Sequence, residues 1–578
     1  MGARTGNYAT SSAMDEMLTA AERSPEVISL PEPVGDVIAH ALAELGVSTV
    51  FGVISIHNMP ILDAIARHDR IRFVPARSEA GAMNMADACA RVTRSLGVVI
   101  TSTGTAAGNA AGSQVEALTA GSPVLHITSQ IDRSYMDRDR AAIHDVPRQA
   151  DMLRAISKTY FRVWEGRTAV PMIEAAARAA LTAPRGPVSL EVPIDVQREK
   201  ISRPRHIGLG PIAAQPADPS MLDQLAELVR VAKRPMLWLG GGARAAGTEA
   251  LDLAERGFAV VTSTNGRAVV PEAHRRTLGA YNMTPEAQAV YGRADLMIVV
   301  GSRLRGNETR NNTARLPRPL VQIDADPAQA GRNYTVDLFI PADAALALGG
   351  LGRRLPAMLN VEPKFLDEVA AARAQSERKL AATLGPYRVV ADALQRRVGS
   401  GRHPFVRDVT LSNSTFGNRY VHLAAPHLGV HALGGGIGQG VAMAVGAAAA
   451  GCPAKTVALI GDGGLMVNLG ELATAVDTGS EVVFILMNDR GYGVIRNIQD
   501  AQFGGRRHYA DLHTPDFAQL ATSFALPHRR VSRIEDFEAA LDGALSAAGP
   551  QLLEVDMTVI GPFAESFAGP PAGAAGST

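Results

Sequence analysis

Short β-branched runs that end on glycine or a polar side chain recur along the chain, each followed by a stretch of helical spacing. Such runs are apolar on both faces, so they fit strands buried between two helical layers. Their alternation with helices predicts parallel sheets. STVFGV, RIRFVPA, LGVVITST, SPVLHITS and SLEVPI form a first block. PMLWLGGGA, FAVVTST, LMIVVGS and LVQIDAD form a second, and TVALIGDGG, EVVFILMND and QLLEVDM a third. At 578 residues the chain is too long for a single core. The predicted fold is α/β, with three doubly wound parallel-sheet domains in series. Their expected limits are residues 31–202, 203–350 and 390–562, with a Pro/Gly-rich linker at 203–219 and a charged helical connecting segment at 351–389. Residues 1–30 read as a mobile polar arm and 563–578 as a mobile Gly/Pro/Ala-rich tail.

Composition removes several function classes. Lys+Arg and Asp+Glu both number 57, so no net field draws the chain to nucleic acid or an anionic membrane. With only two cysteines, far apart, a disulfide framework or zinc site is not expected. No apolar stretch reaches the ~18–20 residues needed to cross a bilayer. The first residues lack a basic start followed by an apolar run, so a cytoplasmic protein without a signal peptide is expected.

TVALIGDG places Asp462 directly after a buried strand, between Gly461 and Gly463, with Gly464 following. Ligands of parallel α/β sheets gather at the carboxyl ends of strands. Glycines there let the backbone approach a phosphate, and a carboxylate can reach a hard cation. A second strand, EVVFILM, ends in Asn488, Asp489, Arg490, Gly491, Tyr492 and Gly493. Two strand ends thus offer oxygen ligands, which suits Mg²⁺ bridging protein to phosphate. The GDG, the spacing and the Asn-Asp pair resemble the signature of the thiamine-diphosphate enzymes, in the acetolactate synthase and benzoylformate decarboxylase branch. The family's second Asn falls on Asp489, and its backbone-carbonyl ligand falls on Gly491. Asn488 stays open as the alternative side-chain ligand, and Tyr492 is expected beside the cofactor.

Further segments take their reading from that resemblance. In HALGGGIGQG, Ile437 stands where the family wedges an apolar side chain beneath the cofactor rings, and Gly435 supplies a carbonyl for the 4′-amino group. Taken alone, the segment is a Gly-rich loop entering an Ala-rich helix. PARSEAGAM puts Glu79 at the family's glutamate, which shares a proton with the pyrimidine ring; taken alone, Glu79 is an acid at a helix N-terminus. STGTAAGN matches a family loop, with Gly104 and Asn109 as its fixing residues. Asn413 and Ser414 match residues at the diphosphate end. His57 falls where benzaldehyde lyase-like members carry a histidine able to move substrate protons, or it packs its loop. His144 and Arg148 fall where many members show Phe-Gln-Glu; Arg148 either binds a substrate carboxylate or pairs with an acid at the surface.

The resemblance implies a pyrimidine-binding N-terminal domain, a Rossmann-like central domain and a diphosphate/Mg-binding C-terminal domain. It implies thiamine diphosphate and Mg²⁺ as cofactors and a C–C lyase or ligase acting on a 2-oxo acid or aldehyde through a C2 ylide and enamine. Active sites are expected at the interface of a homodimer or homotetramer. A simple 2-oxo acid decarboxylase, a flavin-dependent oxidoreductase and a non-catalytic binding protein are the competing readings. FAD is the less favoured occupant of the central domain, because WLGGGARAAG is not GxGxxG and GSRLRGNETRN lacks the flavin-site run.

Overall fold

The computed structural model describes residues 30–399 and 401–567; the arm at 1–29 and the tail from 568 onward lie outside the described residues. Three parallel sheets follow one another, as the strand runs predict. In the first unit, β1 (Glu32–Pro33) pairs antiparallel with β8 (Lys200–Ile201) beside a six-stranded sheet. That sheet comprises β2 (Thr49–Gly52), β3 (Arg72–Pro75), β4 (Gly97–Thr101), β5 (Val124–Gln130), β6 (Thr159–Arg162) and β7 (Val188–Pro193). Its order is β3-β2-β4-β5-β7-β6.

The central unit holds β9 (Pro235–Leu239), β10 (Ala259–Thr262), β11 (Leu296–Val300), β12 (Leu320–Asp324) and β13 (Leu338–Pro341), ordered β10-β9-β11-β12-β13. The C-terminal unit repeats the first pattern. Its strands are β14 (Phe405–Arg407), β15 (Gly429–His431), β16 (Thr456–Gly461), β17 (Val482–Asn488), β18 (His528–Val531) and β19 (Gln551–Asp556). They run in the order β15-β14-β16-β17-β19-β18.

Besides the two-residue pair β1 and β8, five strands of the three parallel sheets escape the sequence patterns. β6, β13, β15 and β18 are sheet edges, half wetted and therefore not apolar throughout; β14 is interior but only 3 residues long. The connecting segment holds a helix, Pro363–Thr383. Its Phe365 and Val369 enter the central core, while the following Leu384 and Tyr387 enter the C-terminal core.

The first and third units share a core through the Glu79–Thr93 and Gly440–Ala449 helices. Among the described residues no helix is long and apolar enough to cross a membrane.

His126 sits fully buried on β5, its Nδ1 2.8 Å from Gln114 Oε1 and its Nε2 2.8 Å from Thr101 Oγ1. Burial holds its pKa down to about 3, against an ordinary 6.5, so the folded state contains a neutral ring. The stability this ring contributes is present above pH 6.5 and is lost as pH falls toward 3. His126→Gln should therefore flatten the acid slope of folding stability by up to ~1.4 kcal/mol per pH unit across that window. Urea unfolding at a series of pH values reads the slope, and an unchanged slope would contradict a buried neutral ring.

Candidate functional site

A cavity of about 400 Å³ opens at the carboxyl ends of β14, β16 and β17. Gly461, Asp462, Gly463 and Gly464 form one wall, residues 409–412 another, and Asp489 with residues 491–495 a third. Gly435 and Ile437 close it from the glycine-rich loop. Ile437 is 39% exposed, a large apolar side chain left uncovered by its own chain.

Asp462 is fully buried, and its Oδ2 accepts the Gly491 amide at 2.7 Å. Gly491 holds φ +152°, a conformation that glycine tolerates. Its carbonyl oxygen lies 3.4 Å from where a Cβ on Gly463 would stand. Burial, reinforced by the facing Asp489, raises the Asp462 carboxyl well above the usual range. Asp489 is itself held by Arg496, which sits 2.9 Å from Oδ2 and donates to the Asp489 carbonyl at 2.7 Å. Two facing carboxylates, one of them paired with Arg496, beside a backbone carbonyl make an all-oxygen donor set that fits a hard divalent ion. Among the described residues no group of three or more His, Cys, Asp or Glu is placed to hold a metal ion. Any ion here would therefore need ligand oxygens to complete its shell.

Asn488 is turned out of this arrangement. Its Nδ2 donates to Glu554 Oε1 at 2.8 Å and its Oδ1 accepts the Arg490 amide at 3.2 Å, so the side chain serves the sheet end. Asn413 and Ser414 also stand away from the cavity. A short π-helical turn, Asn413–Gly417, points the buried Asn413 toward His431 Nδ1 at 3.3 Å. The wall is formed instead by Thr410, Leu411 and Ser412, one turn earlier.

The sequence reading overlooked Asp408. It follows β14, is fully buried, and accepts the Val409 amide at 2.7 Å and the Gly438 amide at 3.1 Å. Burial pushes its pKa up to about 6. Asn468 donates to the Gly438 carbonyl at 2.6 Å, so the peptides on both sides of Gly438 are held. The signal for Asp408 was a carboxylate after a strand, but the strand was too short to be seen.

The other expected residues gather at the carboxyl ends of the first sheet. Ser78 caps the Glu79–Thr93 helix by accepting the Gly81 amide at 2.9 Å, which places Glu79 on its first turn. Glu79 is half-buried, and Asn109 Nδ2 donates to its Oε2 at 3.1 Å. His57 and His144 meet with Nδ1 atoms 3.2 Å apart, and burial first, then His144, lowers the His57 pKa. Gly104 packs against His144: a Cβ there would stand 2.5 Å from the His144 carbonyl oxygen.

Arg148 does not join them. It is 84% exposed and paired with Asp151 at 2.9 Å. Its neighbour Gln149 is the buried residue, accepting the Gly104 amide at 2.6 Å and donating to Glu191 at 2.7 Å. Among the described residues of one chain, none from the first unit lines the cavity.

Three family models match the chain. Residues 33–152 match the thiamine pyrophosphate enzyme N-terminal TPP binding domain, 222–351 the central domain and 412–555 the C-terminal TPP binding domain. The chain is 27% identical over 548 residues to a probable acetolactate synthase 2, chloroplastic, of Oryza sativa subsp. japonica, covering 90% of this chain and 82% of that protein. It is 27% identical over 558 residues to the acetolactate synthase isozyme 3 large subunit of Escherichia coli (strain K12), covering 91% and 94%. A probable acetolactate synthase large subunit of Methanocaldococcus jannaschii is likewise 27% identical over 545 residues, covering 90% and 91%.

Asp408→Ala leaves the Gly438 amide without its buried acceptor. A loss of ~1–3 kcal/mol in folding stability is expected, with faster hydrogen exchange at Gly438. Unchanged urea unfolding would remove Asp408 from its bracing role.

Proposed function

The chain belongs to the thiamine pyrophosphate enzymes, and from that premise we propose that it is a carboligase. It removes the carboxylate of a 2-oxo acid as CO₂ and joins the remaining fragment to a second carbonyl compound. The carrying observation is the facing pair Asp462 and Asp489 at adjacent strand ends, over a cavity with glycine-rich walls. The acetolactate synthases among its relatives support ligation over simple decarboxylation.

Thiamine diphosphate, when bound, supplies a carbon nucleophile and an electron sink for breaking a bond next to a carbonyl. Asp462, Asp489 and the Gly491 carbonyl would hold Mg²⁺, with Asn488 committed to Glu554. Gly461, Gly463 and Gly464 leave room for the diphosphate, and Tyr492 backs Gly463. Ile437 supports the rings and Gly435 offers its carbonyl. Glu79, fixed in place by Asn109, would hold a proton for the pyrimidine nitrogen of the coenzyme. Across their shared Nδ1 contact only one of His57 and His144 carries the proton, so the pair can pass it to or from a substrate oxygen. Arg148 is left to the surface.

The residues lining the cavity all come from the third unit, so Glu79 of a second copy would complete each site, in a homodimer or a pair of dimers, as the family resemblance implies. Exposed Ile54, Ile56, Met59 and Ile143 on the first unit, and Val467, Ile495 and Phe503 on the third, are apolar surface that such an interface would cover. The central unit works without flavin. Its glycines pack on one another: a Cβ on Gly240 would stand 2.2 Å from the Gly301 carbonyl, and one on Gly241 2.3 Å from Asn265 Nδ2. Two free cysteines suit the reducing cytoplasm.

Calorimetry of purified protein should show thiamine diphosphate uptake that requires Mg²⁺ and is lost in Asp462→Ala. Uptake that survives Asp462→Ala would sink the assigned site. Glu79→Ala should retain uptake while slowing C2 proton exchange by about 10²-fold or more. Pyruvate supplied with an acceptor aldehyde should yield a hydroxyketone from colourless enzyme; free aldehyde alone would favour the decarboxylase, and a yellow preparation the flavin reading.

A further inference from the structure

Two buried carboxylates outside the cavity grip backbone amides of the opposite unit. Glu471, on the Glu471–Asp477 helix of the C-terminal unit, is 1% exposed. Its Oε1 accepts the Ser78 amide at 3.0 Å and the Ser78 hydroxyl at 3.1 Å. Both its oxygens lie 3.2 Å from the Arg77 amide, and Thr474 Oγ1 donates to Oε2 at 2.7 Å. The next residue along is Glu79. Gly81 belongs to the same fit, because a Cβ there would stand 2.0 Å from Glu471 Oε1.

The grip is returned in the other direction. Glu116, on the Thr105–Ala120 helix of the first unit, is 2% exposed and accepts the Leu433 amide at 2.7 Å and the Gly434 amide at 2.6 Å. Arg91 stands 3.1 Å from Glu116 and donates to the His431 carbonyl at 2.6 Å, so the carboxylate and the loop share one cation. Gly435 follows directly, and Ile437 two residues later. A buried carboxylate is costly unless fully bonded. Both of these spend their bonds on main-chain amides immediately before the residues assigned to the chemistry.

We propose that Glu471 and Glu116 are positioning residues: Glu471 fixes the turn that presents Glu79, and Glu116 fixes the loop that presents Gly435 and Ile437. This rests on the roles given to Glu79, Gly435 and Ile437 above.

Glu471→Gln and Glu116→Gln keep the size but put a donor where an amide needs an acceptor. Three measurements on the full-length protein decide. They are amide hydrogen exchange at 77–81 and 433–435 without coenzyme, C2 proton exchange of bound thiamine diphosphate, and coenzyme affinity by calorimetry. Glu471→Gln should speed amide exchange at 77–81 and slow C2 exchange by about 10- to 100-fold, with affinity within about threefold of wild type. Glu116→Gln should speed exchange at 433–435 and weaken coenzyme binding by about tenfold. Glu471→Asp, which retains charge and both acceptors, should recover part of the C2 rate and decides the matter alone if Glu471→Gln does not fold. Loosened amides with wild-type C2 exchange, or unchanged amides, would overturn the proposal. Glu79→Ala runs in parallel: wild-type C2 exchange there removes Glu79 from its role, while the amide results still report on the grip itself.

Discussion

The two halves of the site are set by a helix pair whose backbones touch. A Cβ on Gly446 would stand 2.2 Å from the Met85 carbonyl, so the Glu79–Thr93 and Gly440–Ala449 helices approach more closely than side chains would allow. Such an approach requires small residues, and both helices are rich in alanine and glycine along their buried faces. Their N-termini lie next to residues of the proposed site. One is preceded by the turn leading to Glu79, the other by the loop carrying Gly435 and Ile437. Shifting one helix against the other would move both groups, and the exchanged carboxylates Glu471 and Glu116 tie each leading segment to the partner unit.

Charge in the cavity follows from the same economy of donors. Asp408 and Asp462 are fully buried, and Asp489 faces Asp462, against the single guanidinium of Arg496. The amides of Val409, Gly438 and Gly491 are already given to these carboxylates. The diphosphate of the proposed coenzyme would therefore meet acids rather than those amides, which is why the proposed site includes a cation. An aspartate at 489 in place of the family's asparagine deepens that requirement, and Arg496 relieves part of it.

Much of this was legible in the sequence, for physical reasons. Buried central strands are apolar on both faces, so their runs and their terminal Asp462 and Asp489 stood out. Edge strands such as β18, which reads HRRV, carry charge on their wet side and did not. Asp408 was hidden by the brevity of β14. Of the two readings of Arg148 the structure gives the surface pair with Asp151, and nothing local says which of two adjacent polar side chains turns inward on entering a helix. Asn488 and Asp489 are a similar adjacent pair, and the partner that engages Asn488, Glu554, lies too far along the chain to be foreseen locally. Glu471 and Glu116 had no local signature at all: their amide partners lie 393 and 317 residues away in the chain.

In the central unit the glycine-rich loops after the strands have a packing role. Its glycines are required by backbone contact between Gly242 and Gly301, where an added Cβ on Gly301 would stand 2.5 Å from the Gly242 Cα. The arginines beside these loops turn to the C-terminal unit instead. Arg244 donates to the Pro426 carbonyl at 2.7 Å, and Arg267 to the Gly417 carbonyl at 3.1 Å. Arg305 donates to the Leu433 carbonyl at 2.9 Å, while Glu116 of the first unit accepts the Leu433 amide at 2.7 Å. One peptide segment, two residues before Gly435, is thus fixed by all three units at once. A side chain in the first unit holds its N–H, and one in the central unit holds its C=O. The central unit thus braces the loop that carries Ile437.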